Sequence, residues 1–210
     1  MRKYFTNIIF LCFCRLLLGQ TPTSMVTIKG GSYVPLYGVK GENKATKPVN
    51  VKSFQLDIYP VTNAQYKAFL EKHPEWQRSR VKGIFAQKSY LSHWQSDLDF
   101  SPLDAQAPVT HISWFAAKKY CECEGKRLPT TDEWEYVAQA DAQSIDARKK
   151  KHYQEYIVRS MQMPKTYLQK VGSTPKNYWG IYDMHGLVWE WVADFNSVLL
   201  SGDSRKDKQG

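Results

Sequence analysis

Apolar and polar residues alternate in two stretches near the start of the chain, at residues 25–34 and residues 51–59. Successive side chains of a strand point to opposite faces, so this period of two predicts half-buried β-strands. Two consecutive glycines divide the first stretch, which predicts a bulge or turn between two strands. A proline follows the second stretch and ends it. A further short strand is predicted at residues 108–112.

Helical patterns occur in three places, and each follows a residue type that caps helices. Thr62 or Asn63 precedes the first, Ser113 precedes the second, and Thr130 precedes the third. Thr130 stands three residues before Glu133, which is the spacing of a capping box. The predicted helices run from residue 63 to about residue 72, from residue 114 to residue 124, and from residue 131 to about residue 140.

The remaining segments have no clear period. Residues 75–107 carry several aromatic side chains and are predicted to form a long loop held in place by them. Residues 141–170 are polar and basic, and they leave two alternatives open, one irregular helix or a flexible insertion. The pattern therefore predicts an α+β domain at residues 21–200, with three short helices, several short strands and little regular secondary structure. Residues 201–210 are predicted to be a flexible tail.

The first 20 residues have the composition of a secretory signal peptide. Arg2 and Lys3 form a basic start, and an apolar run follows at residues 8–18. Arg15 interrupts this run, whereas a membrane span needs about 20 apolar residues, so a cleaved signal is favoured over an uncleaved anchor. We therefore expect a periplasmic or secreted protein with no stable membrane span after cleavage.

Composition narrows the class of protein further. Aromatic residues make up 14% of the chain, which argues against disorder because disordered segments are poor in aromatics. The formal net charge is +9, but the basic clusters are not interleaved with aromatic residues on one face. Solvated loops account for this charge better than nucleic-acid contacts do, so no nucleic-acid partner is predicted.

Two of the four cysteines, Cys12 and Cys14, lie within the predicted signal. The other two, Cys121 and Cys123, are separated by one residue on a predicted helix. Their side chains therefore diverge by about 200° and cannot easily form a disulfide with each other. Unpaired thiols are unusual in an oxidising compartment, so either one is buried or its partner is missing from this chain.

Four blocks of sequence, taken in order, resemble the formylglycine-generating enzyme family, also called sulfatase-modifying factors. The resemblance covers about residues 25–196. The blocks lie at residues 25–33, 58–66, 108–136 and 180–191, and they include Gly30-Gly31-Ser32-Tyr33, Tyr59-Pro60-Val61-Thr62-Asn63, Arg127-Leu128-Pro129-Thr130 and Trp189-Glu190-Trp191. The residues that follow resemble a branch associated with nitrite-reductase gene clusters. The resemblance implies a fold that is related to C-type lectins.

The resemblance also implies an activity. Family members oxidise a cysteine of a client sulfatase to formylglycine, using molecular oxygen and copper held by two cysteines; other members are iron enzymes or non-catalytic binding domains. In the copper enzymes these cysteines follow an Arg-Gly-Gly-Ser-Trp-like segment. This sequence has no such segment and no cysteine after Cys123. Because Cu(I) prefers thiolate ligands, no residue takes over the copper site, and the domain is expected to be C-terminally incomplete and inactive.

A calcium site is the metal centre that the resemblance still implies. In relatives the turn at residues 183–190 binds calcium; by position, Asp183 and Glu190 would supply carboxylates, and Gly186 and Val188 backbone carbonyls. Ca²⁺ takes six to eight oxygen ligands, which agrees with this set. The alternative is that Asp183 caps a turn and Glu190 makes a buried hydrogen bond to the backbone.

Further expectations concern single side chains. His111 precedes a helix cap in an apolar segment and is predicted to be a hydrogen-bonded core histidine. His185 lies in the calcium-type turn and could point outward. Arg127 and Glu135 are predicted to form an ion pair that fixes the third helix, since buried charges need partners. The cysteine that pairs with the position of Cys121 in some relatives is absent here.

Two hypotheses for the function follow. The first is an oxidoreductase of the family that acts on a protein cysteine or assists the maturation of a periplasmic enzyme. The second is a non-catalytic, calcium-stabilised binding or accessory module with a periplasmic client protein or peptide as partner. Under either, strands that complete the core of relatives are missing, so we expect exposed apolar surface, which marks an interface or an aggregation risk.

Overall fold

The computed structural model describes residues 24–36, 47–162 and 169–194, and it shows a mixed α+β fold with short strands and four helices. The predicted signal peptide at residues 1–20 and the predicted tail at residues 201–210 lie outside the described residues. The strands are β1 (Met25–Ile28), β2 (Gly31–Tyr33), β3 (Val49–Val51) and β4 (Phe54–Asp57), and the helices are α1 (Asn63–Lys72), α2 (Trp114–Cys123), α3 (Thr131–Ala138) and α4 (Lys151–Gln162). Within the described ranges, no helix is both long and apolar enough to cross a lipid bilayer.

The strands form two small antiparallel ladders. β1 pairs with β4 in the register Met25 to Asp57, and β2 pairs with β3 in the register Gly31 to Val51. The second alternating stretch is therefore split into β3 and β4. Gly30 lies where the chain between β1 and β2 passes close to the end of β3. A side chain there would not fit, because its Cβ atom would lie 2.5 Å from the Val51 carbonyl oxygen. The strand predicted at residues 108–112 does not form, and a single bridge joins Pro108 to Thr62 instead.

The three predicted helices and their caps are confirmed. Thr62 is the N-cap of α1, and the Ser113 side chain accepts a hydrogen bond from the Ala116 amide at the start of α2. Thr130 and Glu133 form both hydrogen bonds of the predicted capping box in α3. These side chains satisfy amides that would otherwise lack partners in the first turn. Helix α3 ends at Ala138, slightly before the predicted boundary.

Helix α4 resolves the alternative that the sequence left open for residues 141–170. It is regular and covers 12 residues, of which Tyr153 and Ser160 are buried. Tyr153, Tyr156, Ile157 and Ser160 recur at helical spacing within it, so the sequence carried a signal for an amphipathic helix that the many polar and basic residues of the segment obscured. Asp141 lies before α4 and accepts a hydrogen bond from the Lys150 ammonium at 2.7 Å, which ties the start of the helix to the body of the domain.

The core consists of two hydrophobic clusters. The first cluster packs α1 and α2 against the loop at residues 75–107. Its buried members are Tyr66, Phe69, Leu70, Tyr90, Leu91, Trp94, Val109, Ala116 and Tyr120. The Tyr66 and Tyr90 hydroxyls hydrogen-bond at 2.7 Å inside it. The predicted role of the aromatics in residues 75–107 is confirmed, because these rings replace regular secondary structure as the packing elements.

The second cluster packs the strands against α3 and the last described segment. Its buried members are Ile28, Tyr33, Val51, Tyr136, Val137, Ala138, Ile181 and Met184. The Tyr33 hydroxyl donates to the Asp132 carboxylate at 2.7 Å, so β2 is joined to α3 by a polar contact as well. The two clusters leave a groove between them, and the candidate functional site lies there.

Candidate functional site

The turn at residues 180–191, here called the aromatic turn, contains two carboxylates, and that of Asp183 is buried, with 1% of the residue exposed. Its carboxylate accepts hydrogen bonds from the Gly172 amide and from the Thr174 amide, the latter at 3.0 Å. Its own amide donates to the Thr174 hydroxyl at 2.7 Å. Asp183 also has a φ of 61°, which Asp tolerates better than most residues. The carboxylate therefore organises the loop at residues 172–174, as the alternative to a metal ligand predicts.

Gly186 occupies a position that only glycine fits. Its φ is 93°, and a Cβ atom there would lie 2.9 Å from the Ser160 Cβ of α4. A side chain would be strained by the backbone conformation and would also meet the helix. Gly186 thus lets the turn approach α4 closely, whatever its carbonyl binds.

Glu190 is held by a side chain rather than by the backbone. The Trp134 indole nitrogen donates to its carboxylate at 2.7 Å. The residue as a whole is exposed, but protein atoms crowd the carboxyl group. This desolvation raises the pKa of Glu190 to about 7, and the negative charge of Asp183 contributes to the rise, whereas the bond from Trp134 opposes it. A fraction of Glu190 is therefore protonated at neutral pH.

The two tryptophans that flank Glu190 differ in their environment. Trp191 donates its indole N–H to the Ile112 carbonyl at 3.0 Å, which ties the turn to the segment before α2. Trp114, at the start of α2, donates to the Val192 carbonyl at 2.9 Å. Trp189 is 94% exposed. A large apolar side chain in solvent beside two anchored ones is typical of a binding surface.

A groove of about 700 Å³ separates the two hydrophobic clusters. Both clusters contribute to its walls, and the aromatic turn forms one rim. Its lining includes Leu56, Tyr59, Tyr66, Val109, Ile112, Tyr120, Cys121, Trp134, Ile181, Met184, Leu187, Trp189 and Trp191. The volume falls within the range of ligand-binding clefts. Of the exposed large hydrophobic side chains among the described residues, Tyr59, Trp189 and Trp191 line this groove, whereas others such as Leu103 lie outside it.

Cys121 lies in the wall of this groove next to an ion pair. The Lys126 ammonium and the Asp57 carboxylate, both in the same wall, are 2.7 Å apart. Burial raises the pKa of the Cys121 thiol to about 11, with a smaller contribution from the Asp57 charge. Cys121 and Cys123 are both free thiols, and among the described residues Cys121 alone of the two lines the groove.

A second cavity, of about 420 Å³, lies between α4 and the aromatic turn. His185 lines it and points inward, so the expectation that it could face solvent is wrong. Its Nε2 atom lies 2.8 Å from the Ala138 carbonyl and 3.0 Å from the Tyr153 hydroxyl. Burial lowers the pKa of His185. Tyr153 and Tyr156 belong to α4, so the sequence pattern did not indicate this cavity.

Two further expectations are corrected by the structure. His111 is exposed rather than in the core, with a φ of 55°, because its segment forms a bend instead of a strand. Arg127 pairs with Glu133 at 2.7 Å and not with Glu135. The capping box brings the Glu133 carboxylate back toward the N-terminus of α3, where Arg127 approaches, whereas Glu135 accepts a hydrogen bond from the Tyr33 hydroxyl.

The predicted calcium ligands lie on one turn, and Asp183 is near enough to Glu190 for its charge to act on that carboxyl. The described residues contain no group of three or more His, Cys, Asp or Glu side chains that could hold a metal ion. A calcium ion here would depend on the two carboxylates together with the carbonyls of Gly186 and Val188 and with water.

Comparison with known proteins identifies the family. The sulfatase-modifying factor enzyme 1-like domain matches residues 18–208. The chain belongs to the sulfatase-modifying factor family. The crystal structure of CarF supports the fold assignment, with a TM-score of 0.50 and 18% identity over 82% of this chain and 80% of that one.

Several relatives of this sulfatase-modifying factor domain carry different names. The serine/threonine-protein kinase pkn1 of Chlamydia pneumoniae is 32% identical over 90% of this chain and 31% of its own length. The inactive C-alpha-formylglycine-generating enzyme 2 of Mus musculus is 29% identical over 89% of this chain and 74% of its own. The formylglycine-generating enzyme of Bos taurus is 27% identical over 90% of this chain and 62% of its own. The chain therefore spans less than a third of the kinase-named relatives and most of the inactive one.

Proposed function

We propose that this sulfatase-modifying factor domain is a non-catalytic binding module that holds an apolar segment of a client protein or peptide in the groove. The groove between the two clusters is the observation that carries the proposal. Its walls are mostly apolar, and Trp189 stands exposed at its rim. Exposed aromatic anchors beside a cleft are typical of sites where a partner is bound.

The thiols argue against copper-dependent oxidation of a client cysteine. Cu(I) prefers thiolate ligands, and the burial that raises the pKa of Cys121 to about 11 weakens metal binding there, because the ion must displace the thiol proton. Cys123 is two residues away on the same helix, so the two sulfurs diverge and do not form a two-thiolate site. A relative that is named inactive supports the same interpretation.

Two assays test this proposal. Reduced, carboxymethylated lactalbumin serves as a permanently unfolded model client, and its binding is followed by fluorescence anisotropy. We expect Trp189→Asp to weaken binding by about tenfold or more, the loss typical of an aromatic anchor. Ile84→Asp is the matched control, because Ile84 is 77% exposed and does not line the groove.

The second assay measures oxygen consumption with Cu(I), a reductant and the same protein. We expect none above the background of copper alone. Copper-dependent oxygen uptake that Cys121→Ser abolishes would assign the oxidase function instead. Equal weakening of lactalbumin binding by Trp189→Asp and Ile84→Asp would show that the client does not bind in the groove.

The calcium site is proposed on the same turn, with Asp183 and Glu190 as charged ligands and the carbonyls of Gly186 and Val188 as neutral ones. The position of both carboxylates on one turn supports it, because Ca²⁺ takes carboxylate and carbonyl oxygens as ligands. Calcium is expected to raise the melting temperature, and a chelator to reverse the rise. An unchanged melting temperature, or the same rise in Glu190→Gln, would exclude the site.

The proposed location is the periplasm or the exterior, where the client would be an enzyme undergoing maturation. The signal-like composition of residues 1–20 supports this location. Expression of the full chain followed by N-terminal sequencing of the periplasmic fraction tests it. Retention of Met1 on protein found in the cytosolic fraction would contradict it.

A further inference from the structure

Two histidines from separate segments lie against each other at the rim of the groove. The ring centres of His93 and His111 are 5.1 Å apart, and the ring planes are inclined by 43°. His111 lines the groove, whereas His93 belongs to the loop at residues 75–107. Both residues are exposed. Neither belongs to the aromatic turn or to the second cavity.

A backbone contact joins the two segments beside this pair. The Leu91 amide donates to the His111 carbonyl at 2.9 Å. Leu91 and His111 both have positive φ angles, of 48° and 55°. Such conformations are uncommon for residues other than glycine, and strained backbone is concentrated at functional sites. The position of His111 is therefore fixed by a contact between distant parts of the chain.

The neighbours of His93 in the chain are also held in place. Leu91 and Trp94 are buried, and the Arg78 guanidinium donates to their carbonyls at 3.1 Å and 2.8 Å. The Trp94 indole N–H donates to the Asn63 side chain at 3.1 Å. The His93 backbone thus has little freedom, although its side chain is exposed. A ligand that joins the two rings would therefore need little ordering of the chain.

The separation of the two rings agrees with a shared metal ion. A Zn–N bond is about 2.0–2.1 Å long, and the centre of an imidazole lies roughly 1.1 Å beyond its nitrogen, so two imidazoles on one tetrahedral ion have centres about 5 Å apart. The rings of His93 and His111 are 5.1 Å apart. Their positions are therefore compatible with a two-imidazole site.

Two features of the surroundings favour a cation. The Thr110 hydroxyl lies 3.1 Å from the His111 Nδ1 atom. When Nδ1 donates to this hydroxyl, Nε2 keeps its lone pair for a metal, and such outer partners orient ligating histidines. Burial lowers the pKa of His93 and the neighbouring His111 lowers it further, whereas the negative charge of Asp104 opposes this decrease. Neutral imidazole is the form that binds metals, and the Asp104 charge attracts a cation.

We propose that His93 and His111 form a two-imidazole site for a divalent transition-metal ion such as Zn²⁺ at the rim of the groove. Imidazole nitrogen suits first-row transition ions, whereas Ca²⁺ takes oxygen ligands, so this site is chemically distinct from the turn at residues 183–190. The described residues supply no third His, Cys, Asp or Glu side chain to complete the set. Water would therefore occupy the remaining positions of the ion.

Zinc titration by isothermal calorimetry tests the site. The full chain is used without a polyhistidine tag, and excess calcium is present to fill oxygen sites. Zn²⁺ has no redox chemistry, so it does not oxidise the thiols. We expect His93→Gln and His111→Asn each to weaken zinc binding by at least about tenfold, since even the outer partners of metal ligands contribute that much. Asn retains the tolerance of His for a positive φ.

His152→Gln is the matched control for the titration. Its side chain is 70% exposed, and it does not line the groove. We expect this variant to bind zinc as the unmodified chain does. Absence of zinc binding by the unmodified chain would overturn the proposal, and so would unchanged zinc affinity in His93→Gln or in His111→Asn.

X-ray absorption at the zinc edge identifies the ligands directly. With one equivalent of zinc bound to the unmodified chain, we expect two imidazole nitrogens at about 2.0–2.1 Å, oxygen in the remaining positions and no sulfur. Sulfur at about 2.3 Å would assign the ion to cysteine thiolates and would overturn the proposal. This measurement needs no substitution, so it decides the question even if a histidine variant fails to fold.

Discussion

The residues of the aromatic turn have different structural roles. Asp183 organises a neighbouring loop, Trp191 anchors the turn to the segment before α2, and Trp189 faces solvent. Glu190 lies between the tryptophans and bonds to Trp134. Desolvation of its carboxyl raises its pKa to about 7, so its charge changes near neutral pH.

The stability of the domain should depend on the ionisation of Glu190. Its pKa is about 7 in the folded protein, above the ordinary value of about 4.3 in an unfolded chain. The folded state holds this proton more tightly, so the contribution of Glu190 to stability is complete below about pH 4 and declines as pH rises to about 7. Denaturant titrations from pH 4 to 8 with a chelator present should show this decline. Glu190→Gln should reduce it, and an unchanged slope in this variant would contradict the assignment.

Gly186 should be intolerant of a side chain. In Gly186→Ala the methyl group would lie 2.9 Å from the Ser160 Cβ, and the backbone would keep a φ of 93°. We expect a loss of about 1–3 kcal/mol in the free energy of unfolding, as for other strained backbone positions. Gly83→Ala is the control, because nothing lies within 4 Å of its position. Equal stability of the two variants would contradict the close approach of the turn to α4.

The Cys121 thiol should react slowly at neutral pH. With a pKa of about 11 it is largely protonated, and the thiolate is the reactive form. In a variant that keeps Cys121 as its single cysteine, alkylation by iodoacetamide should accelerate about tenfold per pH unit between pH 8 and 10. A rate that levels off below pH 9 would show a thiolate stabilised by its surroundings. That result would contradict the argument against a copper site at Cys121.

At the level of elements, side-chain caps define where the helices begin. Thr130 and Glu133 close the first turn of α3, and Arg127 binds the same Glu133 carboxylate with two nitrogen atoms, each at 2.7 Å. The Arg127 guanidinium holds the pKa of Glu133 below its ordinary value. Helix α3 joins the second cluster to the groove through Trp134, so its start also positions the groove wall.

Removal of the α3 cap should destabilise the domain measurably. Thr130→Ala deletes the oxygen that accepts the Glu133 amide, and such caps contribute about 1 kcal/mol. Thr130→Ser retains the hydroxyl and is expected to be close to the unmodified protein. The measurement is the free energy of unfolding in urea by circular dichroism. An equal loss in both variants would show that the Thr130 methyl group, and not the cap, matters.

At the scale of the whole molecule, two clusters of similar size face each other across the groove. The helices α1 and α2 belong to the first cluster, and the strands and α3 belong to the second. The groove of about 700 Å³ interrupts their contact. A substitution disturbs the packing of the side chains that it contacts. A truncation in one cluster should therefore destabilise that cluster more than the other.

Core truncations should therefore have local effects. Leu70→Ala in the first cluster and Val137→Ala in the second each remove a fully buried side chain. The leucine truncation should cost roughly 2–5 kcal/mol, and the valine truncation less. Hydrogen exchange should show faster amide exchange in α1 and α2 for Leu70→Ala, and in α3 for Val137→Ala. Equal acceleration across both clusters in either variant would show a single cooperative core.

The sequence by itself determined the family, the α+β class and the starts of α1, α2 and α3, because short motifs and caps depend on residues only a few positions apart. It also indicated a loop held by aromatic side chains. It did not distinguish helix α4 from an insertion, and it assigned the wrong partner to Arg127 and the wrong environment to His111. The partner of Arg127 lies only six positions away and is placed by the capping box, whereas the exposure of His111 follows from the bend that its segment forms.

Tertiary structure alone decided how the aromatic turn is used. Trp189 and Trp191 look equivalent in the sequence, yet one faces solvent and the other binds the Ile112 carbonyl, 79 positions away. The groove likewise exists because two separate clusters, drawn from residues far apart in the chain, pack without closing the space between them. Burial and long-range hydrogen bonds are properties of that packing, so no local pattern could specify them.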